Sequence, residues 1–214
     1  MSFPVQGIPL AIAGNANLFR SSKGNAAATG PPVIAKPINL IVACTENRVI
    51  GREGRLPFDI PEDKRWFHDK TAGSVVVLGR ICFEAWPQVI SDGRRAVVLS
   101  SNPDSIRATA FKKPGAPAKP SLLEPAPFTV VSDVPSALQA AQALPGEIMV
   151  CGGQRIYEET LPLCDRLILT LVHAEMPGDR LFPDWHQLAW RESWRKESSD
   201  ANYRYTFSIL ERVK

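Results

Sequence analysis

Six short segments rich in Val, Ile and Leu follow one another along the chain, and they restrict the fold more than any other feature. In chain order they read "INLIVAC", "SVVVLG", "RAVVLSS", "FTVVS", "EIMVCG" and "RLILTLV". An uninterrupted apolar segment of this length is typical of a strand covered on both faces, as in a mainly parallel sheet. Stretches with helical character lie between them, at about 61–71, 80–86, 134–144 and 154–163. The alternation predicts an α/β fold.

The last part of the sequence departs from this alternation. "WRESWRKES" and "YRYTFSILERV" are separated by "SDAN", which is a turn-forming segment. This pattern predicts an antiparallel hairpin at the edge of the sheet.

Two other segments do not share the α/β pattern. Residues 1–37 are rich in Gly, Ala, Pro and Ser and contain no acidic residue. A transit peptide would have more arginine, so we expect a flexible or surface-wrapping extension instead. The prolines between Ser101 and Phe128 exclude a regular element over most of that stretch. We therefore predict one domain over residues 38–214, with a Pro-rich insertion at about 101–128.

Composition argues against several classes of partner. The net charge of +3 and the pI of about 8.7 come without a dense basic run, so no nucleic-acid partner is expected. No apolar run is long enough to cross a membrane. The four cysteines form no C-x-x-C pair and the three histidines are scattered, which predicts free thiols, a cytoplasmic location and no metal site.

Two strand–glycine–helix junctions are candidates for binding an anionic ligand. "VVVLGRICFEAW" places Gly79 and Arg80 after a buried strand, and "EIMVCGGQRIYEE" places Gly152 and Gly153 in the same position. Glycine allows a ligand to approach the backbone, and a helix start offers unpaired N–H groups. Each junction alone is a weak signal, because neither is a complete phosphate-binding motif.

Asp63 has two interpretations. It lies in the first turn of the predicted helix "PEDKRWFHDK", where an acid is favoured by the helix dipole, and "DIPE" resembles a capping arrangement. It also precedes Phe67 by one turn, so the two side chains share a face. If Phe67 faces a cavity, Asp63 faces the same cavity, and a catalytic role follows.

Taken together, these segments resemble the dihydrofolate reductase family. The resemblance extends from Ile38 to the C-terminus and rests on motifs in the family's order: "ENRVIGREGRLPF", "PEDKRWF", "VVVLGR", "GRRAVVLSS", "VCGGQRIYEETLP", "LILT" and "GDRLFPDW". It implies a mixed sheet of about eight strands, mostly parallel with an antiparallel C-terminal hairpin and flanked by helices. It also implies hydride transfer from NADPH to dihydrofolate.

The resemblance implies a substrate site around Asp63. Asp63 matches the acid that binds the amino-pyrimidine edge of the pterin and favours protonation beside the carbon that accepts hydride. Thr170 matches the hydroxyl that supports this acid, and Arg94 matches the two-pronged clamp on the glutamate α-carboxylate. The implied catalytic residues are Asp63, Thr170, Phe58 and Leu56. The implied substrate-binding residues are Ile41, Val42, Ala43, Asp63, Lys64, Phe67, Ile90, Arg94, Cys151 and Thr170.

The resemblance also implies an NADPH site at the two glycine junctions. Arg80 and Ser101 match contacts to the 2′-phosphate that distinguishes NADPH from NADH. The Gly152–Gly153 peptide bond, which is cis in the family, lies against the cofactor. The implied cofactor-binding residues are Ala43, Ile50, Gly51, Gly79, Arg80, Ile81, Cys82, Leu99, Ser100, Ser101, Cys151, Gly152, Gly153, Gln154, Arg155, Ile156 and Tyr157.

Four positions depart from the family pattern. Cys82 stands in place of a threonine beside the cofactor phosphates, so we expect weaker cofactor binding. Phe58 stands in place of a tryptophan whose indole N–H orders a water molecule. Lys64 and Cys151 stand in place of apolar residues.

Two alternatives stay open at this point. A riboflavin-pathway pyrimidine reductase of the same fold would lack an acid equivalent to Asp63. A catalytically silent nucleotide-binding module would keep only the cofactor site. The resemblance further implies a monomer, and no fused thymidylate synthase domain is expected because the sequence stops after "ILERVK".

Overall fold

Strands and helices alternate along the chain in the computed structural model, which describes residues 35–104, 106 and 128–214. The strands are β1 (Ile38–Thr45), β2 (Val49–Gly51), β3 (Val75–Gly79), β4 (Arg95–Leu99), β5 (Phe128–Val131), β6 (Ile148–Val150), β7 (Arg166–Val172), β8 (Arg180–Leu181), β9 (Trp190–Ser199) and β10 (Arg204–Arg212). The helices are α1 (Pro61–Thr71), α2 (Arg80–Ala85), α3 (Val134–Ala143) and α4 (Gln154–Thr160), with 3-10 turns at Leu161–Leu163 and Trp185–Gln187.

Eight of the strands form one mixed sheet in the order β5-β4-β3-β6-β1-β7-β10-β9. Every pairing from β5 to β7 is parallel, whereas β10 pairs antiparallel with both β7 and β9. The predicted α/β class, the six apolar strands and the C-terminal hairpin are therefore confirmed. Because the first six strands of this order run in one direction, their carboxyl ends meet at one edge of the sheet.

The core lies on both faces of the sheet, as the continuous apolar strands predict. On one face, Val134 and Ala137 of α3 and Ile156 of α4 pack with Leu40 and Val42 of β1. On the other face, a second cluster contains Ile41, Ile168 and Phe83, with Phe67 of α1 packed against it. Neighbouring residues of β1 thus point to opposite faces, as the period of a strand requires.

Helix α1 begins differently from the expected capping arrangement. Ile60 occupies the N-cap position with extended backbone and makes no side-chain cap hydrogen bond, so the capping interpretation of "DIPE" is wrong. Pro61 does stand in the first turn, as do the two acids Glu62 and Asp63. Both acids are therefore available for contacts with other parts of the molecule.

A small second sheet was not predicted. Strands β2 and β8 pair antiparallel, with Val49 opposite Leu181. Both are too short to produce a periodic pattern in the sequence, which is why they escape sequence analysis.

Some sequence predictions fall outside the described residues. The N-terminal extension is described only from residue 35, and the Pro-rich insertion only at residues 101–104, 106 and 128. Among the described helices, none combines the length and the apolar character needed to cross a membrane.

Candidate active site

Asp63 is buried on the inward face of α1. Only 8% of its surface is exposed, although it lies in the first turn of the helix. Phe67, one turn further along, packs against the apolar cluster that contains Ile41 and Ile168. The predicted orientation of Asp63, on the same face as Phe67, is therefore confirmed.

Thr170 connects Asp63 to the sheet. Its hydroxyl donates a hydrogen bond to the Asp63 carboxylate. Thr170 lies on β7 directly between Ala43 of β1 and Phe207 of β10 in the strand register. The hydrogen bond thus holds the carboxylate beside β7, at a point that the strand register defines.

Burial dominates the electrostatics of Asp63. It raises the pKa of the carboxyl above its ordinary value of 3.8, whereas the Thr170 hydrogen bond and the charge on Lys64 act to lower that pKa. A desolvated carboxylate with one hydrogen bond from the protein has capacity to accept more. Asp63 is therefore suited to bind a ligand that presents N–H donors.

The neighbouring acid, Glu62, anchors the start of α1 to the C-terminal hairpin. Its carboxylate accepts hydrogen bonds from Lys196 Nζ (2.6 Å), Ser198 Oγ (2.6 Å) and Tyr205 Oη (2.8 Å). The bond from Lys196 is the largest of the causes that lower the pKa of Glu62 to about 2. The two adjacent acids therefore differ in role, because Glu62 binds the start of α1 to the hairpin whereas Asp63 is buried on the inward face.

We expect Glu62→Gln to destabilise the fold, because the amide keeps the shape and loses the charge that three donors contact. Water reaches the cluster, so screening limits the loss to about 1 kcal/mol at neutral pH, a fall in Tm of about 2–4 °C. The ionised Glu62 stabilises the fold above its unfolded pKa of 4.5, and this contribution disappears as pH falls from 4.5 towards about 2. Thermal denaturation between pH 3 and 8 measures the effect.

Glu197→Gln is the matched control, because it removes the same charge from an exposed ion pair with Arg195 on the same hairpin. Its Tm should change little at any pH. A loss of stability that is equal in the two variants would remove the anchoring role from Glu62.

The two glycine junctions lie side by side at the carboxyl edge of the sheet. Gly79 donates its backbone N–H to the carbonyl of Gly152 over 2.7 Å, across the neighbouring strands β3 and β6. The Gly152–Gly153 peptide bond is cis, as the resemblance implies. Cys82 lies close to this pair, since a Cβ built on Gly153 would be 3.6 Å from its Sγ. The two junctions, each a weak signal in the sequence, are thus joined by a backbone hydrogen bond.

Arg80 and the two serines stand next to each other at the same edge. Gly79 at the end of β3 pairs with Leu99 at the end of β4, so Arg80 and Ser100 follow in adjacent positions. Arg80 is half exposed and forms an ion pair with Glu84 at 2.8 Å. Ser101 is exposed. A cation and hydroxyls beside the paired junctions are suitable for an anionic group.

Two of the predicted site residues are apolar side chains that are exposed. Leu56 is 49% exposed in the segment before α1, and Ile81 is 52% exposed in the first turn of α2. Phe58, in contrast, is buried with Ile60 in a separate apolar cluster next to Ala43. Ile50 and Gly51 belong to β2, and Ile50 packs beside the core of the α3–α4 face.

Three predicted site residues lie on the other face of the sheet from Asp63, Val42 because of the strand period and the other two because they belong to α4. The side chains of Val42, Ile156 and Tyr157 are buried on the face that α3 and α4 cover, opposite Asp63. Val42 was predicted to bind substrate together with Ile41, and its side chain lies on the other face of the sheet from Ile41. Tyr157 still reaches the site indirectly, since its hydroxyl donates to the Ile41 carbonyl at 2.6 Å.

Three of the predicted site residues with polar side chains already form ion pairs or hydrogen bonds within the protein. Lys64 points into solvent and pairs with Asp59 at 2.7 Å. Arg155 is exposed and pairs with Glu159, while Gln154 contacts Glu158 and Leu181. Ile90 and Cys151 belong to or contact the apolar cluster on the Asp63 face, as expected for walls of the site.

Arg94 is the largest difference from the sequence interpretation. Its side chain is fully buried and pairs with Asp92 at 2.9 Å, a residue that sequence analysis did not select. The guanidinium also lies over the Trp86 ring, 5.1 Å from its centroid. The "SDGR" segment is a recognisable turn signal, and the Asp92–Arg94 pair within it has no sequence signature.

Burial also governs the cysteines. All four are free thiols. Burial raises the pKa of Cys44 and Cys164 to about 12, and it raises the pKa of Cys82 and Cys151 as well. None is therefore a thiolate nucleophile at neutral pH.

Two surface depressions lie elsewhere, on the side of the hairpin. They share His173 and Arg195 and include none of the predicted site residues. The candidate site is therefore the region that Asp63, Thr170 and the paired glycine junctions define.

This region fits NADPH. At the joined turns, a Cβ built on Gly153 would lie at an ordinary contact distance, 3.6 Å, from Cys82 Sγ, so this glycine leaves room for a phosphate group, whereas Ile156 and Tyr157 lie against Gly79 and Gly152. The half-exposed Arg80 and the exposed Ser101 lie beside them. The exposed Ile81 offers apolar surface to a ring.

Comparison with known proteins gives one consistent result. A model of the dihydrofolate reductase family matches residues 37–212. The chain is 35% identical over 180 residues to dihydrofolate reductase type 3 of Salmonella typhimurium, covering 83% of this chain and 99% of that protein. It is 31% identical over 179 residues to the dihydrofolate reductase of Bacillus subtilis strain 168, covering 82% and 94%. A solved structure of dihydrofolate reductase from Enterococcus faecalis, complexed with NADP(H) and RAB-propyl, superimposes with a TM-score of 0.65 at 27% identity, covering 83% and 97%.

Proposed function

The chain belongs to the dihydrofolate reductase family, and on this premise we propose that Asp63 orients dihydrofolate and promotes its protonation. The protein is an NADPH-dependent oxidoreductase that converts 7,8-dihydrofolate into 5,6,7,8-tetrahydrofolate. The single observation that supports the role of Asp63 is its burial, at 8% exposure, with one hydrogen bond from Thr170.

Asp63 acts by charge and by position. Two oxygens of a carboxylate accept a pair of N–H donors from the amino-pyrimidine edge of the pterin, which fixes the orientation of the ring. In a dry site the negative charge also favours a proton on the nearby ring nitrogen. Thr170 keeps one oxygen in place, and the surrounding apolar cluster excludes water.

NADPH supplies the hydride when it is bound. We assign its phosphate-binding surface to the joined turns at Gly79 and Gly152–Gly153, and its 2′-phosphate to Arg80 and Ser101. The side chain of Ile81 and the backbone of Ala43 and Ile50 line the remainder. The buried Tyr157 contributes by supporting the backbone of Ile41.

We expect Arg80→Gln to weaken NADPH binding about tenfold and to leave NADH binding nearly unchanged. The guanidinium would contact only the 2′-phosphate, and a charge-assisted hydrogen bond contributes about 1.5–3 kcal/mol, which solvent reduces at a half-exposed position. Fluorescence titration with both nucleotides measures the two Kd values. An equal loss for NADPH and NADH would place Arg80 outside the 2′-phosphate site.

The oxidation of NADPH in the presence of dihydrofolate is the direct test of the function. Turnover should require both compounds and should yield tetrahydrofolate in equal amount to the NADPH consumed. NADPH that binds and is not oxidised would indicate a silent nucleotide-binding module instead.

We further propose that the protein acts as a monomer in the cytoplasm, on small molecules and without a nucleic-acid partner. The mild net charge of +3 supports the lack of a nucleic-acid partner, the four free thiols support the cytoplasm, and the monomer is what the family leads us to expect. Analytical ultracentrifugation of the full chain determines the oligomeric state, and a stable dimer would contradict the proposal.

A further inference from the structure

Each of the five N–H groups of the Arg94 guanidinium lies within hydrogen-bond distance of an atom of the protein. Nε donates to Thr71 Oγ1 at 3.0 Å. Nη1 donates to the Ser91 carbonyl at 3.1 Å and to Asp92 Oδ2 at 2.9 Å. Nη2 donates to the His68 carbonyl at 3.0 Å and contacts His68 Nδ1 at 3.1 Å. Since a guanidinium has five donors and no acceptor, Arg94 has no donor left for a ligand unless an existing partner leaves.

Three of these five contacts are fixed by the fold. The carbonyls of His68 and Ser91 belong to the backbone, and the Thr71 hydroxyl is buried at the end of α1. The other two partners, Asp92 Oδ2 and His68 Nδ1, are side-chain atoms, one on each terminal nitrogen. A carboxylate that binds a guanidinium in a two-pronged manner takes one N–H from each of two nitrogens. An incoming carboxylate would therefore need the positions that these two side chains occupy.

A tight turn holds Asp92 against Arg94. Asp92 and Gly93 have φ values of 56° and 72°, and Arg94 donates its backbone N–H to the Ser91 carbonyl at 3.1 Å. Two positive φ values in the centre of such a turn are those of type I′, for which Asp-Gly is a preferred sequence. The turn brings the Asp92 carboxylate to Nη1, and the side chain stays 63% exposed. It can therefore leave towards water while Arg94 remains in place.

We propose that Asp92 is a specificity-determining residue that competes with the carboxylate of the ligand's glutamate tail for Arg94. This inference rests on the proposed function, because it concerns the substrate of the same site. Binding of the tail exchanges one carboxylate on Arg94 for another, so the net gain from the tail is small. Pterins without a tail do not meet this competition, so the protein discriminates weakly between ligands with and without one.

The test compares Asp92→Asn with the parent protein against two ligands. One ligand is dihydrofolate, and the other is a 7,8-dihydropterin that lacks the aminobenzoyl-glutamate tail. Asparagine tolerates positive φ, so the turn is kept while the competing charge is removed. We expect the Kd for dihydrofolate, measured by calorimetry, to fall about two- to fivefold, the range expected when one partly exposed ion pair is lost. The Kd for the tail-less pterin should stay the same.

Asp69→Asn is the matched control, because it removes the same charge from an exposed position on α1 next to His68. It should leave both Kd values unchanged. Unaltered dihydrofolate binding in Asp92→Asn, or an equal change for both ligands, would overturn the inference. Because the readout is binding, it is independent of turnover, and a parent that binds dihydrofolate without reducing it contradicts the proposed function alone.

Discussion

Replacing Asp63 with asparagine is expected to lower kcat/KM for dihydrofolate about 10²- to 10³-fold at neutral pH. The side chain keeps its size and can still accept the Thr170 hydrogen bond. It loses the negative charge that favours the protonated heterocycle, and it presents an amide N–H₂ group where the pterin presents donors. Losses of this size are typical when one charge-stabilising group is removed from a dry site. Steady-state kinetics of NADPH oxidation measure the effect.

The loss should depend on pH in a defined direction. At low pH a larger fraction of the substrate is protonated before it binds. Loss of the Asp63 charge then matters less, and the ratio of parent to variant kcat/KM becomes smaller. At high pH the protonated substrate is scarce and the difference becomes larger. A ratio of kcat/KM values that is constant across pH would leave Asp63 with a binding role only, and unchanged turnover would exclude it from the mechanism.

Thermal stability separates this loss of activity from unfolding. An unfolded carboxyl ionises near 3.8, and the folded Asp63 ionises only at higher pH because it is buried. Between these two values the folded state holds a proton that the unfolded state has lost, so stability falls as pH rises through the interval. Asparagine does not ionise, so the variant does not pay the free-energy cost of burying a charged carboxylate. We expect the variant to be more stable by about 1 kcal/mol at neutral pH, a Tm about 2–4 °C higher, with the difference shrinking as pH approaches 3.8.

The inward orientation of Asp63 could be predicted from the sequence because it depends on local geometry. Phe67 is one turn away, and side chains four residues apart on a helix share a face. The opposite orientations of Ile41 and Val42 follow from the strand period in the same way, although both residues were predicted to bind substrate. The fold class could also be predicted from the sequence, because continuous apolar segments indicate strands that are buried on both faces.

Contacts between distant segments could not be predicted in this way. Glu62 is next to Asp63 in the sequence, and its ion-pair partner Lys196 is 134 residues away. Nothing in the local pattern of α1 indicates which acid turns inward and which one binds the hairpin. The Asp92–Arg94 pair is close in sequence, yet its role depends on His68 and Thr71, which α1 contributes. Only the packing of helix, turn and sheet shows that the guanidinium is fully occupied.

Replacing Gly152, which follows β6, with alanine is expected to destabilise the fold by about 3 kcal/mol or more. Gly152 has a φ of +96°, which costs an L-residue about 1–2 kcal/mol. A Cβ at this position would also lie 2.7 Å from Cε2 and 2.9 Å from Cζ of the Tyr157 ring. Forcing that ring aside adds about 1–3 kcal/mol, because the core around it is closely packed. Thermal denaturation should show a Tm lower by about 6–12 °C.

Gly73→Ala distinguishes the two causes of this loss. Gly73 also has a positive φ, +70°, and a Cβ there would meet nothing within 4 Å. Gly73→Ala should therefore lose only the free energy that a positive φ costs an L-residue, which is less than the total loss expected in Gly152→Ala. The double variant Gly152→Ala/Tyr157→Ala removes the ring that the new Cβ would contact, so its destabilisation should be less than the sum of the two single changes.

A functional consequence follows from the same ring. The Tyr157 hydroxyl donates to the Ile41 carbonyl at 2.6 Å, and Ile41 lies on the Asp63 face of β1. Displacing the ring would disturb this strand beside the site, so activity in Gly152→Ala should fall even in the fraction that is folded. If Gly152→Ala and Gly73→Ala proved equally stable, the ring contact would not explain why glycine stands at position 152.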